Sequence, residues 1–281
     1  MKIFNIETPR VRLDGGAMFG VVPKTMWSKQ YKADENNMIE LACRSLLIDD
    51  GKNIVLIDTG VGDKIDLNIM QHYYADAKYN LKKSIADAGY KLENITHVIN
   101  THYHFDHCGG NTSLDENGNV VPTFKNAKYY VSKKHFDSVC NPNRRERASF
   151  YPENYMPVKE AGQLILLEEE QKITDKVYVR FFDGHTAGLS VVFIERNDKT
   201  LVFTSDMIPG VAHFPMSWIA AYDIEPLKTL SEKQAFLNEA ADKNFTMFFQ
   251  HDENYECASV KHTERGVRLN KTLSLKEWLE S

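Results

Sequence analysis

Thr101-His102-Tyr103-His104-Phe105-Asp106-His107-Cys108-Gly109-Gly110 packs three histidines and an aspartate between positions 102 and 107. The whole chain of 281 residues holds only 10 histidines, so this concentration asks for a chemical reason. Neutral imidazole donates a ring-nitrogen lone pair near physiological pH and is the commonest metal ligand. His102, His104, Asp106 and His107 are therefore candidate ligands for more than one metal ion. His97-Val98-Ile99-Asn100 just upstream reads as a short strand, which puts the cluster on a loop that a rigid sheet can hold.

Working outward, apolar β-branched runs at 43–48 and 53–57 flank Asp49-Asp50-Gly51-Lys52, a hairpin signal, and the second run ends at Asp58-Thr59-Gly60. A helical period over 81–88 stops at Gly89. Strands are expected at 128–131, 177–182, 190–195, 201–204 and 247–249, and helices at 133–140 and 231–241. Residues 141–160, rich in Pro, Asn and Arg, read as an irregular excursion. Three of the later strands run into further candidate ligands: His185 in Asp183-Gly184-His185-Thr186-Ala187-Gly188, Asp206 in Ser205-Asp206, and His251 in Gln250-His251-Asp252. Five histidines and two aspartates are too many for one tetrahedral zinc and suit two metals sharing a carboxylate. Nitrogen and carboxylate donors without thiolate favour zinc, with manganese or iron as alternatives.

Composition sets the frame for such a site. With 42% hydrophobic and 26% charged residues, the chain has enough apolar material for a core that needs no metal or disulfide. A metal here is free to be catalytic. The net charge of -5 argues against a general nucleic-acid binder. No apolar run spans a bilayer, no signal peptide is read at the N-terminus, and the four cysteines are widely spaced. A reduced, cytoplasmic protein is expected. Cys108 reads as a small buried residue.

The order H-x-H-x-D-H, G-H-T-x-G, S-D and F-x-H-D, preceded by D-T-G, resembles the metallo-β-lactamase-fold hydrolase superfamily over roughly residues 40–255. The resemblance implies an α/β fold, a four-layer αββα sandwich, as a single domain over 1–281 with an N-terminal extension to about residue 38. It implies that His102, His104 and His185 hold one metal and that Asp106, His107 and His251 hold a second. Asp206 would bridge the two together with a water or hydroxide. Asp58 would orient a ligand; otherwise it is a turn aspartate. The implied activity is hydrolysis of a small ester or lactone by a metal-held hydroxide, with Asp106 accepting or relaying a proton.

Departures narrow the branch. Asp206 disfavours the exported β-lactamases, His104 disfavours flavodiiron proteins, and the short stretch after His251 disfavours glyoxalase II. Quorum-quenching lactonases and methyl-parathion-type hydrolases resemble the chain more, although Pro209 stands where lactonases usually carry a tyrosine. Tyr222 is a candidate substitute. Alternatives are phosphotriester or thioester hydrolysis, a persulfide dioxygenase-like enzyme with one iron, and last a non-catalytic binding protein.

His213, seven residues past Asp206, is either a substrate contact placed over the site or a loop histidine of no consequence. The segment 15–27, with Phe19, Met26 and Trp27, reads as a flap lining a pocket for a small-molecule substrate, as a homodimer contact, or as an edge strand and turn. Asn141 to Arg147 reads as a solvated loop or as an arginine site for anions. His72, His97, His135 and His262 read as surface or satisfied core histidines.

Overall fold

The structure is a computed structural model that describes residues 1–64, 72–73, 76 and 78–281. In chain order its strands are β1 Lys2–Ile6, β2 Val11–Asp14, β3 Met38–Leu41, β4 Ser45–Asp49, β5 Ile54–Ile57, β6 His97–Ile99, β7 Thr112–Leu114, β8 Val120–Pro122 and β9 Lys128–Ser132. They continue with β10 Leu164–Leu167, β11 Gln171–Lys172, β12 Val177–Phe182, β13 Leu189–Arg196, β14 Lys199–Phe203, β15 Thr246–Phe248, β16 Cys257–Thr263 and β17 Gly266–Leu273. The helices are α1 Gly15–Phe19, α2 Lys24–Trp27, α3 Leu81–Asp87, α4 Phe105–Cys108, α5 Lys133–Cys140, α6 Met156–Glu160, α7 Pro226–Asp242 and α8 Leu275–Glu280.

The chain divides into two compact units. Met1–Val11 joins Ala42–Glu170 in the first, and Arg12–Leu41 joins Gln171–Ser281 in the second. Within the N-terminal stretch, β1 belongs to the sheet of the first unit, and residues from Arg12 onward belong to the second.

The first unit is built on a six-stranded sheet in the order β1-β4-β5-β6-β9-β10. The Asp49–Asn53 turn makes β4 and β5 the expected antiparallel hairpin, whereas β5, β6, β9 and β10 run parallel. Leu81 and Ile85 on one face of α3 pack with Ile6, Leu47, Leu56, Val98 and Tyr129 from the sheet. Asn80 caps α3 by accepting from the Lys83 N–H, and Gly89 takes the positive φ (+89°) that follows the helix. The parallel strands matter most, because β5 and β6 then deliver Asp58 and the histidine cluster from the same edge.

The second unit is built on a seven-stranded sheet in the order β11-β12-β13-β14-β15-β16-β17. Here β14 and β15 run parallel, and β12, antiparallel to the intervening β13, shares their direction. His185, Asp206 and His251 follow the carboxyl ends of these three strands, so one sheet edge receives all of them. Phe236, Leu237 and Ala240 of α7 pack on Leu189, Val191 and Phe193. The helix starts at Pro226, a residue suited to a first helical position, well before the expected start at Ser231.

Candidate metal centre

In the first unit, the histidine turn is fastened at both ends. Asn100 donates to the Tyr130 carbonyl, and the Asn100 and Asn111 side chains exchange amide hydrogen bonds of 3.0 and 3.1 Å. Gly109 packs directly on the Val61 carbonyl, where a Cβ would collide with backbone, which explains the glycines that close the motif. Between these fastenings His102, His104, Asp106 and His107 are all buried.

Their ring nitrogens are directed by Asp58, which sits at φ +56° after β5. Its carboxylate accepts from the Thr101 N–H (2.8 Å), the Thr101 hydroxyl (2.7 Å) and His107 Nδ1 (3.0 Å). Burial pushes the Asp58 carboxyl up, while the His107 and Thr101 donors pull it back towards the ionised form. With its proton given to Asp58, the Thr101 oxygen is left to accept from His102 Nδ1 at 3.1 Å. Nδ1 of both imidazoles is thus turned to a protein oxygen. His102 Nε2 lies 3.0 Å from His104 Nδ1, and His107 Nε2 lies 3.8 Å from Asp106 Oδ2.

The second unit repeats the logic with different parts. His185 Nδ1 donates to Asp223 Oδ1 at 2.8 Å, and its Nε2 lies 3.2 Å from Asp206 Oδ2. His251 Nε2 lies 3.1 Å from the other Asp206 oxygen. The donor set of His185, Asp206 and His251 fits a metal ion, and an acidic partner on the remote nitrogen, as Asp223 is to His185, is the usual way to fix a ligand imidazole. Beyond Asp206, Asp252 accepts from the Val211 N–H at 2.8 Å, and Gly210 leaves the room for it, since a Cβ there would meet the Asp252 carboxylate.

Several side chains outside the expected ligand set matter here. Asp223 gave no sequence signal, because no motif surrounds it. Glu146, in the loop read as solvated or anion-binding, is buried, held by Asn143 at 2.6 Å, with its other oxygen 3.7 Å from His104 Nε2. Arg144, Arg145 and Arg147 of that loop are exposed. His213 is buried; its Nε2 donates to the Met18 carbonyl at 3.0 Å and its ring stacks on Phe19 at 5.0 Å. Burial pushes its pKa down to about 4, so the ring is neutral. Tyr222 is 38% exposed and adjoins Asp223 in the chain. His135 accepts from the Tyr103 N–H as a core histidine, and Cys108 is buried with its thiol on the Tyr103 carbonyl. His72 and His262 are exposed, and His97 stacks on Tyr130.

The profile of the Metallo-beta-lactamase superfamily matches residues 38–251, which takes in every candidate ligand. The chain belongs to that superfamily. It therefore has the expected α/β metallo-β-lactamase fold. An N-acyl homoserine lactonase of Bacillus cereus is 22% identical over 176 residues, 59% of this chain and 63% of the lactonase. The alignment thus spans less than two thirds of that relative. Among solved structures, a probable metal-dependent hydrolase from Staphylococcus aureus superposes with a TM-score of 0.88 at 29% identity, covering 97% of this chain and 96% of that one. AidC, a dizinc quorum-quenching lactonase in complex with a product, superposes with a TM-score of 0.77 at 22% identity, covering 95% and 93%. Among the described residues, no helix is long and apolar enough to cross a membrane.

Proposed function

We propose that this chain is a metal-dependent hydrolase with a dinuclear centre, most plainly of zinc, that opens a small ester or lactone. The observation that carries the reading is the set of partners that orient the imidazoles. Thr101, Asp58 and Asp223 hold Nδ1 of His102, His107 and His185, which turns the three buried Nε2 atoms towards the other candidate ligands His104, Asp106 and Asp206. In this proposal His102, His104 and His185 hold one metal, Asp106, His107 and His251 the other, and Asp206 serves both. Bound metal would supply an acidified water as nucleophile and polarise the carbonyl under attack. The protein's own work is to hold the imidazoles neutral and oriented. Asp106 would take up the proton released after attack.

The ester or lactone class is supported by the lactonases among the relatives and by an uncharged substrate's compatibility with a buried acidic and imidazole site. The three buried cysteines and the lack of any disulfide among the described residues support a reducing compartment such as the cytoplasm.

The test is a screen of the zinc- or manganese-loaded protein over lactones, aryl esters, thioesters and phosphotriesters. We expect turnover of an aryl ester or lactone, with His104→Ala reducing it to background. A protein that binds two metals per chain and cleaves nothing in the panel would sink the reading. One iron and no zinc in the purified protein would transfer it to redox chemistry.

A further inference from the structure

Helix α7 reaches the neighbourhood of the second unit's ligands with two adjacent side chains of opposite charge. Glu232 accepts from the backbone N–H groups of Asp183 (2.9 and 3.2 Å) and Gly184 (3.0 Å), the turn that presents His185. Lys233, 1% exposed, donates to the carbonyls of His213 (3.0 Å), Pro215 (3.1 Å) and Trp218 (2.8 Å). An ammonium has three donors, and these three carbonyls use all of them. A buried lysine spent wholly on one loop is unusual enough to ask what the loop does.

That loop leaves Asp206 and returns at Asp223, so its two ends rest on the two nitrogens of one imidazole, His185 Nε2 at 3.2 Å and Nδ1 at 2.8 Å. On its other side it carries the 15–31 segment. His213 Nε2 donates to the Met18 carbonyl, the Ala221 N–H donates to the Ala17 carbonyl at 2.7 Å, and the Trp218 ring meets Phe19 edge-on at 5.6 Å. Phe19 then stacks on Trp27 at 5.6 Å. Lys233 is the fixed point from which this aromatic wall hangs.

We infer that Glu232 and Lys233 are positioning residues with separable duties: Glu232 sets metal affinity by fixing the His185 turn, and Lys233 sets substrate fit by fixing the 213–218 loop and the 17–27 wall upon it. The assignment rests on the metal-hydrolase reading given above. Neither side chain touches the reacting atoms. An arginine cannot replace Lys233, because a planar guanidinium sends its donors along a fork and not to three carbonyls around a point.

The experiment compares the full chain, zinc-loaded, with Glu232→Gln, Lys233→Met and Lys233→Arg. Three readouts are taken: zinc affinity by competition with a chromophoric chelator, KM and kcat on the best ester of the panel, and acrylamide quenching of tryptophan fluorescence. Lys233→Met and Lys233→Arg should raise KM about tenfold with a smaller change in kcat. They should also increase quenching of Trp27 and Trp218 and leave zinc affinity unchanged. Glu232→Gln should weaken zinc binding about tenfold and leave quenching as in the parent. Should Lys233→Met fail to fold, Phe19→Ala loosens the same wall without emptying the lysine site and should reproduce the KM rise. Equal loss of zinc affinity in the Glu232 and Lys233 variants, or an unchanged KM in Phe19→Ala, overturns the assignment. If the parent cleaves no ester, the hydrolase reading fails, and zinc affinity and quenching still decide whether the two duties separate.

Discussion

The first unit gathers its candidate ligands on one turn after β6, whereas the second collects His185, Asp206 and His251 from three strand ends. In the first, chain connectivity does most of the positioning, and the Asn100–Asn111 pair and Asp58 only trim it. In the second, nothing in the chain brings the ligands together except a correctly paired sheet, and side chains from distant segments must finish the work. Asp223 fixes His185 across 38 residues, and Glu232 fixes the same turn from α7. A locally encoded site tolerates disturbance of its unit better than one assembled across strands.

That difference can be broken or sharpened experimentally. The largest effect should come from the core beneath the dispersed set. Phe193 is fully buried on β13 among Phe236, Phe245 and Tyr178, so Phe193→Ala should cost about 3–5 kcal/mol in denaturant unfolding. On the metal-centre proposal it should also weaken zinc binding measured by chelator competition; unaltered zinc affinity at that loss of stability would contradict the dependence on the sheet.

Next comes the acid limb of the stability curve. His213 has a folded pKa of about 4 against an ordinary 6.5, so between these values the unfolded chain takes a proton that the folded chain refuses. Its contribution is fully present above pH 6.5 and is lost as pH falls through that window, by up to about 3 kcal/mol. The stability difference between the parent and His213→Gln, measured from pH 7 to 4, should shift against the parent as pH falls. A difference that stays constant would show that His213 takes no part.

The smallest effect compares the two orienting carboxylates directly. Asp58→Asn and Asp223→Asn should each weaken metal binding by roughly 10–100-fold, since either leaves an imidazole free to choose the wrong tautomer. The Asp58 change should fall at the upper end, because that carboxylate also holds Thr101 and through it His102. Equal losses, read by chelator competition, would mean that Thr101 adds nothing.

The two regions also differ in how far the sequence revealed them. The histidine cluster, its strand and the D-T-G aspartate were legible because their spacing is local. His185, Asp206 and His251 were legible because each ends an apolar strand. The helix start at Pro226 was missed although proline after Glu225 is a start signal; the apolar period begins only further in. The β16–β17 hairpin was missed because β17 is mostly exposed and polar, leaving no alternation to read. Lys233 carries no motif that marks it in the sequence, and Glu146 lies in the stretch read as a solvated or anion-binding loop. Burial, not residue type, separates them from their neighbours.

By itself, then, the sequence determined which candidate donors follow strand ends, because donor capacity is a matter of residue type and an apolar run marks the strand before each of them. The tertiary structure decided which groups meet Nδ1 of His102, His107 and His185, namely Thr101, Asp58 and Asp223. It also decided that a buried lysine holds the loop between Asp206 and Asp223. Proton placement and desolvation depend on partners brought from far along the chain, and a linear pattern carries no record of those meetings.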